Sequence, residues 1–277
     1  MPAPALLLPL AVLAAAASPA DPAFAAEWRR WHEQRIERLR RPDGWLALSG
    51  LHWLEPGPNR VPGLPGTFTL ERGVVTLSAA AGDGYRLGDA PVAVRALATD
   101  ATPAPDRLAI GSCEVMVIAR GDRLALRVWD AESPTRKGFR GIPAFPPDPR
   151  WRLAARWEAY AAPREVEVPS VVGIATRERI PGRAWFTLEG RELSLEATLE
   201  DGQLFFVFRD RTAGRETYGA GRFLMAGPPE AGTVILDFNR AYNPPCAFTP
   251  HATCPLPLPG NVLPVRIEAG EQKVPEP

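Results

Sequence analysis

Lysine is nearly missing from this chain: Lys137 and Lys273 are the only two, and arginine supplies the other 30 of its 32 basic residues. Those are matched by 32 acids, for a formal net charge of +0. Without a basic excess there is no electrostatic footprint for nucleic acid, nor the polybasic stretch of a membrane-surface protein. Cysteine and histidine are scarce too. Cys113, Cys246, Cys254 and His32, His52, His251 are spread along the chain with no C-x-x-C and no zinc-ligand spacing, so neither a metal nor a cofactor is expected. There is no G-x-S-x-G elbow, H-E-x-x-H or P-loop, so the common hydrolase, zinc-protease and nucleotide chemistries lack their markers. Gly219-Ala-Gly221 lacks the third glycine and the strand–helix setting of a dinucleotide site. No apolar run reaches the roughly 20 residues that span a bilayer, so no transmembrane segment is expected.

What is present is an ordinary globular composition, 45% hydrophobic and 23% charged over 277 residues, which excludes a disordered chain. The longest apolar run, Ala5–Ala17, suits the core of a signal peptide. Small residues follow it, and Ser18-Pro19-Ala20 and Ala23-Phe24-Ala25 each offer a cleavage site. Residues 1–25 are therefore expected to be an export signal and the mature protein periplasmic or secreted. In an oxidising compartment Cys246 and Cys254 are read as a disulfide or as reactive thiols, and Cys113 as a buried free thiol.

The mature chain opens with a helical period. Phe24, Trp28, Trp31 and Leu39 share one face of a helix expected over Phe24–Arg41, and Pro42-Asp43-Gly44 ends it. After that the period is 2. Trp151, Leu153, Ala155 and Trp157 alternate with Arg152, Ala154, Arg156 and Glu158; Leu193, Leu195, Ala197 and Leu199 alternate with Ser194, Glu196 and Thr198. Each pattern is a strand with one buried face. Asp201-Gly202 joins the second to Gln203–Phe208 as a two-residue hairpin turn, because both residues tolerate positive φ. Further strands are expected at Thr67–Leu70, Val74–Leu77, Val92–Ala98, Cys113–Ala119, Leu124–Trp129, Ala184–Leu188, Val234–Phe238 and Val262–Ile267. The expected fold is mainly β, an antiparallel sandwich or barrel-like set of sheets with one N-terminal helix, and residues 26–277 are read as a single β-rich domain. Proline clusters at Pro56–Pro65, Pro143–Pro149 and Pro244–Pro259 mark loops or edges; Pro143–Pro149 reads as a surface loop or a linker.

Two stretches look unlike scaffold. Phe208–Arg222 leaves a hydrophobic strand carrying Asp210, Glu216, Tyr218 and Arg222. Asp237–Cys254 leaves another carrying Asn239, Tyr242, Asn243, Cys246 and His251. Irregular loops at strand ends are where binding sites form. These two are expected to lie against each other and hold a small polar molecule. Arg222 would take an anionic group, Asp210 or Glu216 would accept from hydroxyls or amines, Tyr218 and Tyr242 would stack, and Asp237, Asn239, Asn243 and His251 would complete the site. A structural reading stands beside it, in which Asp and Asn cap turns and Arg–carboxylate pairs lock loops. The alternative function is a hydrolase or transferase, with Cys246 or Cys254 as nucleophile, His251 as base and Asp237 or Asp210 orienting it, or with a carboxylate pair. Arg127 and Asp130, at a strand end, are a further candidate pair.

The run Asp237-Phe-Asn-Arg-Ala-Tyr-Asn-Pro-Pro-Cys-Ala-Phe248, with Ala252-Thr-Cys-Pro-Leu-Pro257, Asn261 and Glu268-Ala-Gly-Glu271, resembles a bacterial and haloarchaeal domain-of-unknown-function family. Glu216–Leu224, Asp43-Gly-Trp-Leu46, Gly50–Leu54, Arg127-Val-Trp-Asp130 and Phe139–Phe145 fit the same family. The resemblance implies one domain from the N-terminal helix onward. It brings no assigned activity and no catalytic residues.

Overall fold

The structure is a computed structural model that describes residues 22–275; the expected export signal lies outside them except for its last four residues, which begin the first helix. That helix, α1 (Pro22–Arg40), is the one long helix among the described residues. It is docked by its polar atoms as well as by Ile36 and Leu39, which join an apolar cluster with Leu46, Phe139 and Ile142. Trp28 Nε1 donates to the Asn239 carbonyl at 2.7 Å and Arg35 Nη2 to the Asn243 carbonyl at 2.8 Å. No described helix is long and apolar enough to cross a membrane.

Sixteen strands, most of them short, follow among the described residues. The first ten are β1 (Leu48–Trp53), β2 (Gly57–Asn59), β3 (Thr67–Glu71), β4 (Val74–Ser78), β5 (Arg86–Leu87), β6 (Ala90–Pro91), β7 (Val94–Leu97), β8 (Leu108–Ile110), β9 (Cys113–Arg120) and β10 (Arg123–Asp130). They form a six-stranded sheet ordered β1-β10-β9-β8-β5-β6 and a four-stranded sheet ordered β2-β3-β4-β7. Phe68, Val75, Leu77, Tyr85, Val115, Val117 and Leu126 fill the space between the two sheets. The opposite face of the larger sheet is also covered, through Ala47, Met116, Ile118, Ala125 and Trp129. Burial on both faces is why Cys113–Ile118 reads as a nearly continuous apolar run.

The remaining strands are β11 (Arg152–Pro169), β12 (Ala175–Leu188), β13 (Arg191–Glu200), β14 (Gln203–Phe208), β15 (Arg222–Ala226) and β16 (Thr233–Asp237). They make a second six-stranded antiparallel sheet, β15-β14-β13-β12-β11-β16. Its edge strands β15 and β16 approach one another, so the sheet curls into a half-barrel. Ala184, Phe186, Leu195, Phe206, Phe208, Leu224 and Leu236 fill the inside, closed by Phe238, Val265 and Ile267. The expected mainly β class with antiparallel barrel-like sheets is what the chain adopts.

One local expectation turns out differently, and one expected loop is more firmly held than its sequence shows. Val262–Ile267 is an extended segment rather than a strand. Its apolar alternation is kept, with Leu263, Val265 and Ile267 buried, but it runs parallel to Arg209–Arg211 through only a few backbone bonds. Arg209 N donates to Asn261 O, Leu263 N to Arg209 O and Arg211 N to Val265 O. Alternation reports a buried face; it does not report whether a full ladder forms. Pro143–Pro149 is pinned rather than free, because Phe145 N donates to Gly270 O and Gln272 N to Pro143 O.

The Asp201-Gly202 turn is as expected. Glu200 pairs with Gln203, and the two turn residues have φ of +49° and +76°, the mirror-image turn that matches strand twist. Gly202→Val is expected to lower stability by about 1–2 kcal/mol, since a β-branched residue resists left-handed backbone. Urea unfolding checks it, and an unchanged midpoint contradicts it.

Candidate functional site

The two polar loops do meet. Phe223 N donates to Tyr242 O and Tyr242 N to Phe223 O at 2.8 and 2.9 Å, and the Tyr218 hydroxyl donates to the Cys246 carbonyl at 3.0 Å. What they build together, however, is mostly interior. Arg222 is 1% exposed and Asp210 6%. The Arg222 guanidinium lies 3.4 Å from the Asp210 carboxylate and donates to the carbonyls of Ile267 and Ala269. Asp210 in turn accepts from Thr212 Oγ1 at 2.9 Å and Ile267 N at 2.6 Å. The expected anion-binding arginine is thus a buried tie between β15 and the C-terminal segment, and the structural reading holds for this pair. A strand-end arginine looks the same in sequence whether it faces solvent or a packed segment that arrives later in the chain.

Other members of the expected set are also committed to the backbone. The fully buried Asn239 amide brackets Asp148, accepting from its N–H and donating to its carbonyl, while Asp237 caps the short turn that follows β16 by accepting from Asn239 N at 3.2 Å. Asn243 donates to Gln272 O, and its N–H is accepted by the buried Glu271 carboxylate, which also pairs with Arg35 at 3.2 Å. Glu216 pairs with Arg266 at 2.8 Å on the outside. Arg127 and Asp130 do not pair: an odd spacing of three puts them on opposite faces of β10, and Asp130 accepts from Ser112 instead.

The nucleophile arrangement is not assembled among the described residues. His251 lies beside His52 on β1, and burial lowers the pKa of both rings. No hydrogen bond joins His251 to either thiol, while Asp210 and Asp237 face other partners. Cys246 and Cys254 stand together as free thiols, with Cys246 N donating to Cys254 Sγ at 3.2 Å. The hydrogen bond from Cys254 holds the Cys246 thiol below its usual range, with Tyr218 adding to it; the same contact and then burial push Cys254 up. In the reduced protein, iodoacetamide is therefore expected to modify Cys246 before Cys254, and as pH is raised the Cys246 rate should climb first, at a lower pH than that of Cys254. Peptide mass mapping reads the order, and prior modification of Cys254 refutes it.

A concave feature of ligand size lies elsewhere. A cavity of about 900 Å³ sits on the outer face of the half-barrel, at the upper end of the range for small-molecule sites. Its floor is Thr176 and Glu178 of β12, Glu200 of β13, Gln203 and Phe205 of β14, and Phe223 and Met225 of β15. On β13, β14 and β15 these positions lie opposite the packed interior by strand period; Thr176 and Glu178 share the parity of the interior Ala184 and Phe186 and lie beyond the register shift where β11 pairs with β12. Its walls come from three other places: Trp31, Gln34, Arg35 and Arg38 of α1, Trp45 with Arg120 and Arg127 of the first sheet, and Tyr242, Thr253 and Cys254 of the C-terminal loop. Of the expected site residues, Tyr242 and Cys254 line it. Trp45 belongs to three apolar clusters at once and holds the walls together.

Arg127 is the unusual group in this cavity. It is 5% exposed, and its guanidinium lies over the rings of Trp45 and Trp129, at 5.3 and 5.8 Å. Among the described residues no hydrogen bond or ion pair reaches it, and Nε is buried without a partner. Burial, then repulsion from Arg120, brings its pKa down to about 10. The other wall cations mostly have acids of their own. Arg120 pairs with Asp100 at 2.7 Å, Arg35 with Glu271, and Arg240 with Glu27 and Asp237. The floor acids Glu178 and Glu200 lie near enough that Glu178 helps to raise the Glu200 pKa, after partial burial and Asp201.

Sequence reasoning missed the α1 wall. Trp31, Gln34, Arg35 and Arg38 follow an i, i+3, i+4, i+7 spacing, a face of mixed aromatic and cationic residues beside the apolar one. That spacing was the available signal.

A family model described as a protein of unknown function (DUF1684) matches residues 137–272. No curated protein matches the sequence. Among solved structures, the solution NMR structure of an uncharacterized protein from Haloarcula marismortui is 33% identical, over 50% of this chain and 78% of its own, with a TM-score of 0.42. The family match takes in the cavity floor and the C-terminal loop, whereas α1, Trp45, Arg120 and Arg127 precede it, as do the Asp43–Leu54 and Arg127–Asp130 segments of the resemblance noted above. With a third of its residues identical over most of that relative, and with the family model matched from Lys137 to Gln272, the chain belongs to the DUF1684 family of unknown function.

Proposed function

We propose that this chain is an exported binding protein for a small anionic ligand, held in the cavity between α1, the first sheet and the half-barrel. The observation that carries this reading is Arg127. A buried guanidinium without a protein acceptor is costly to desolvate, and here it lines a cavity of ligand size. An anion placed there would accept from it in a charge-assisted bond, in surroundings where water screens little. Trp31, Trp45, Phe205, Phe223 and Tyr242 offer apolar walls for the body of the ligand. Export rests on the Ala5–Ala17 segment, and action as a single unit from residue 26 onward on the cavity drawing walls from both ends of the chain.

The test is a thermal-shift and calorimetric panel on the mature chain, with phosphate, acetate and benzoate set against ammonium and glucose. An anion at a hundredfold its Kd is expected to add about 2.7 kcal/mol of stability. Stabilisation by ammonium alone, or by no anion, overturns the reading. A second reading rests on the Glu178–Glu200 pair, whose unequal surroundings suit acid–base chemistry. Glu178→Gln would then abolish turnover of a bound ligand while leaving its binding in place.

A further inference from the structure

The cavity does not end at Phe205. Glu178, Glu200, Phe205 and Pro255 also border a second recess of about 230 Å³ on the same face of the half-barrel. The recess differs in chemistry from the cavity it adjoins. Ile180, Val207, Leu256 and Leu258 form its walls. Glu178 and Glu200 stand where the recess joins the cavity, and the polar groups farther along its rim are already occupied. The Glu196 carboxylate accepts from Arg164 at 2.6 Å and from Tyr160. The Asn261 amide donates to the carbonyls of Glu196 and Val207, and its oxygen accepts from Glu196 N. Beyond Glu178 and Glu200 a ligand entering the recess therefore finds apolar surface and few free donors or acceptors, whereas the cavity beside it holds an unpartnered cation.

We infer that the recess takes an unbranched aliphatic chain, so that the ligand is an amphipathic anion, a straight alkyl chain carrying a carboxylate or phosphate head. This rests on the anion reading above, with the head at Arg127 and the chain passing over Phe205. The size suits it. A cavity of about 150 Å³ accommodates benzene, so 230 Å³ corresponds by proportion to about nine carbons. An aliphatic chain matches the recess because burial of methylenes is non-directional and asks nothing of the occupied rim.

The experiment is isothermal titration of the full mature chain with acetate, butanoate, hexanoate, octanoate, decanoate and dodecanoate, and in parallel with butyl and octyl phosphate. Affinity is expected to rise about fourfold per methylene, the equivalent of burying one CH₂, and to level off near nine carbons. Leu258→Asp, which sets a charge in the wall, should flatten the rise. Thr198→Trp, a bulky side chain on a strand position that tolerates it, should flatten it independently if the first variant folds poorly. A steeper response in the phosphate series would assign the head to phosphate, and a steeper one in the carboxylate series to carboxylate. If acetate and octanoate bind equally, the chain inference is wrong while the anion reading stands. If the rise persists in both variants, the recess is not where the chain goes. If no alkyl anion of any length binds, the anion reading falls as well.

Discussion

Asp210→Ala is expected to lower folding stability by about 3–5 kcal/mol, the range for removing one partner of a buried ion pair. The loss has several contributions. The Arg222 guanidinium, 1% exposed, would keep its two carbonyl acceptors but lose its counter-charge. The Ile267 N–H and the Thr212 hydroxyl would lose the acceptor that Asp210 provides. Each buried group left unsatisfied costs about 1–3 kcal/mol. The effect should reach well beyond the mutated loop, because Asp210 and Arg222 attach the Leu263–Ala269 segment that closes the half-barrel core. In a chain of this size it should appear as a fall in Tm on the order of 10 °C. Anion binding measured below that temperature should survive, since neither residue lines the cavity. Intact stability with lost binding would instead restore the reading of these two residues as a ligand site.

Arg127→Met is expected to do the reverse. Affinity for the anion should fall by about 30-fold to several-thousand-fold, the 2–5 kcal/mol lost when one member of a buried hydrogen-bonded charge pair is truncated. Stability of the ligand-free protein should stay within about 1 kcal/mol of the parent or rise. Two opposing effects set that outcome. The guanidinium gives up several kcal/mol of hydration when buried, and its two ring contacts with Trp45 and Trp129 return up to about 2 kcal/mol each. Methionine fills a similar volume and keeps a favourable sulfur–aromatic contact. Calorimetric titration and urea unfolding on the same variant decide the point. A loss of several kcal/mol in stability with binding unchanged would make Arg127 a structural residue. The contrast between the two variants separates the roles: both arginines are buried and both belong to strands, but one has its acceptors within the protein and the other does not.

Much of the architecture was legible in the residues. The period-2 alternation of Leu193–Leu199 and Gln203–Phe208, joined by Asp201-Gly202, specifies a hairpin with one face buried, since a slip of one residue would turn every leucine and phenylalanine to water. The Phe24–Arg41 period fixes a helix to within two residues of the observed ends. The mainly β class follows from such local patterns, because alternation, turn residues and the lack of a second long helical period all act over a few neighbours. That the Phe208–Arg222 and Asp237–Cys254 loops meet was also expected from their shared polar character, although their contact is made by backbone bonds between Phe223 and Tyr242 and by Tyr218 on the Cys246 carbonyl, while their charges pair within each loop or elsewhere. Which charges turn inward was not. Arg222 and Arg127 have the same residue type and similar strand settings, and their fates depend on what arrives from far along the chain. For Arg222 that is Asp210 together with the carbonyls of Ile267 and Ala269. For Arg127 it is Trp45 and a cavity wall with no acceptor. The cavity itself could not be read locally, because its floor, its helix wall and its sheet wall are contributed by segments scattered along the chain from Trp31 to Met225. Only the packing of α1 and the first sheet over the outer face of the half-barrel brings them together, and it is that packing that buries the Arg127 guanidinium against Trp45 with no acceptor of its own.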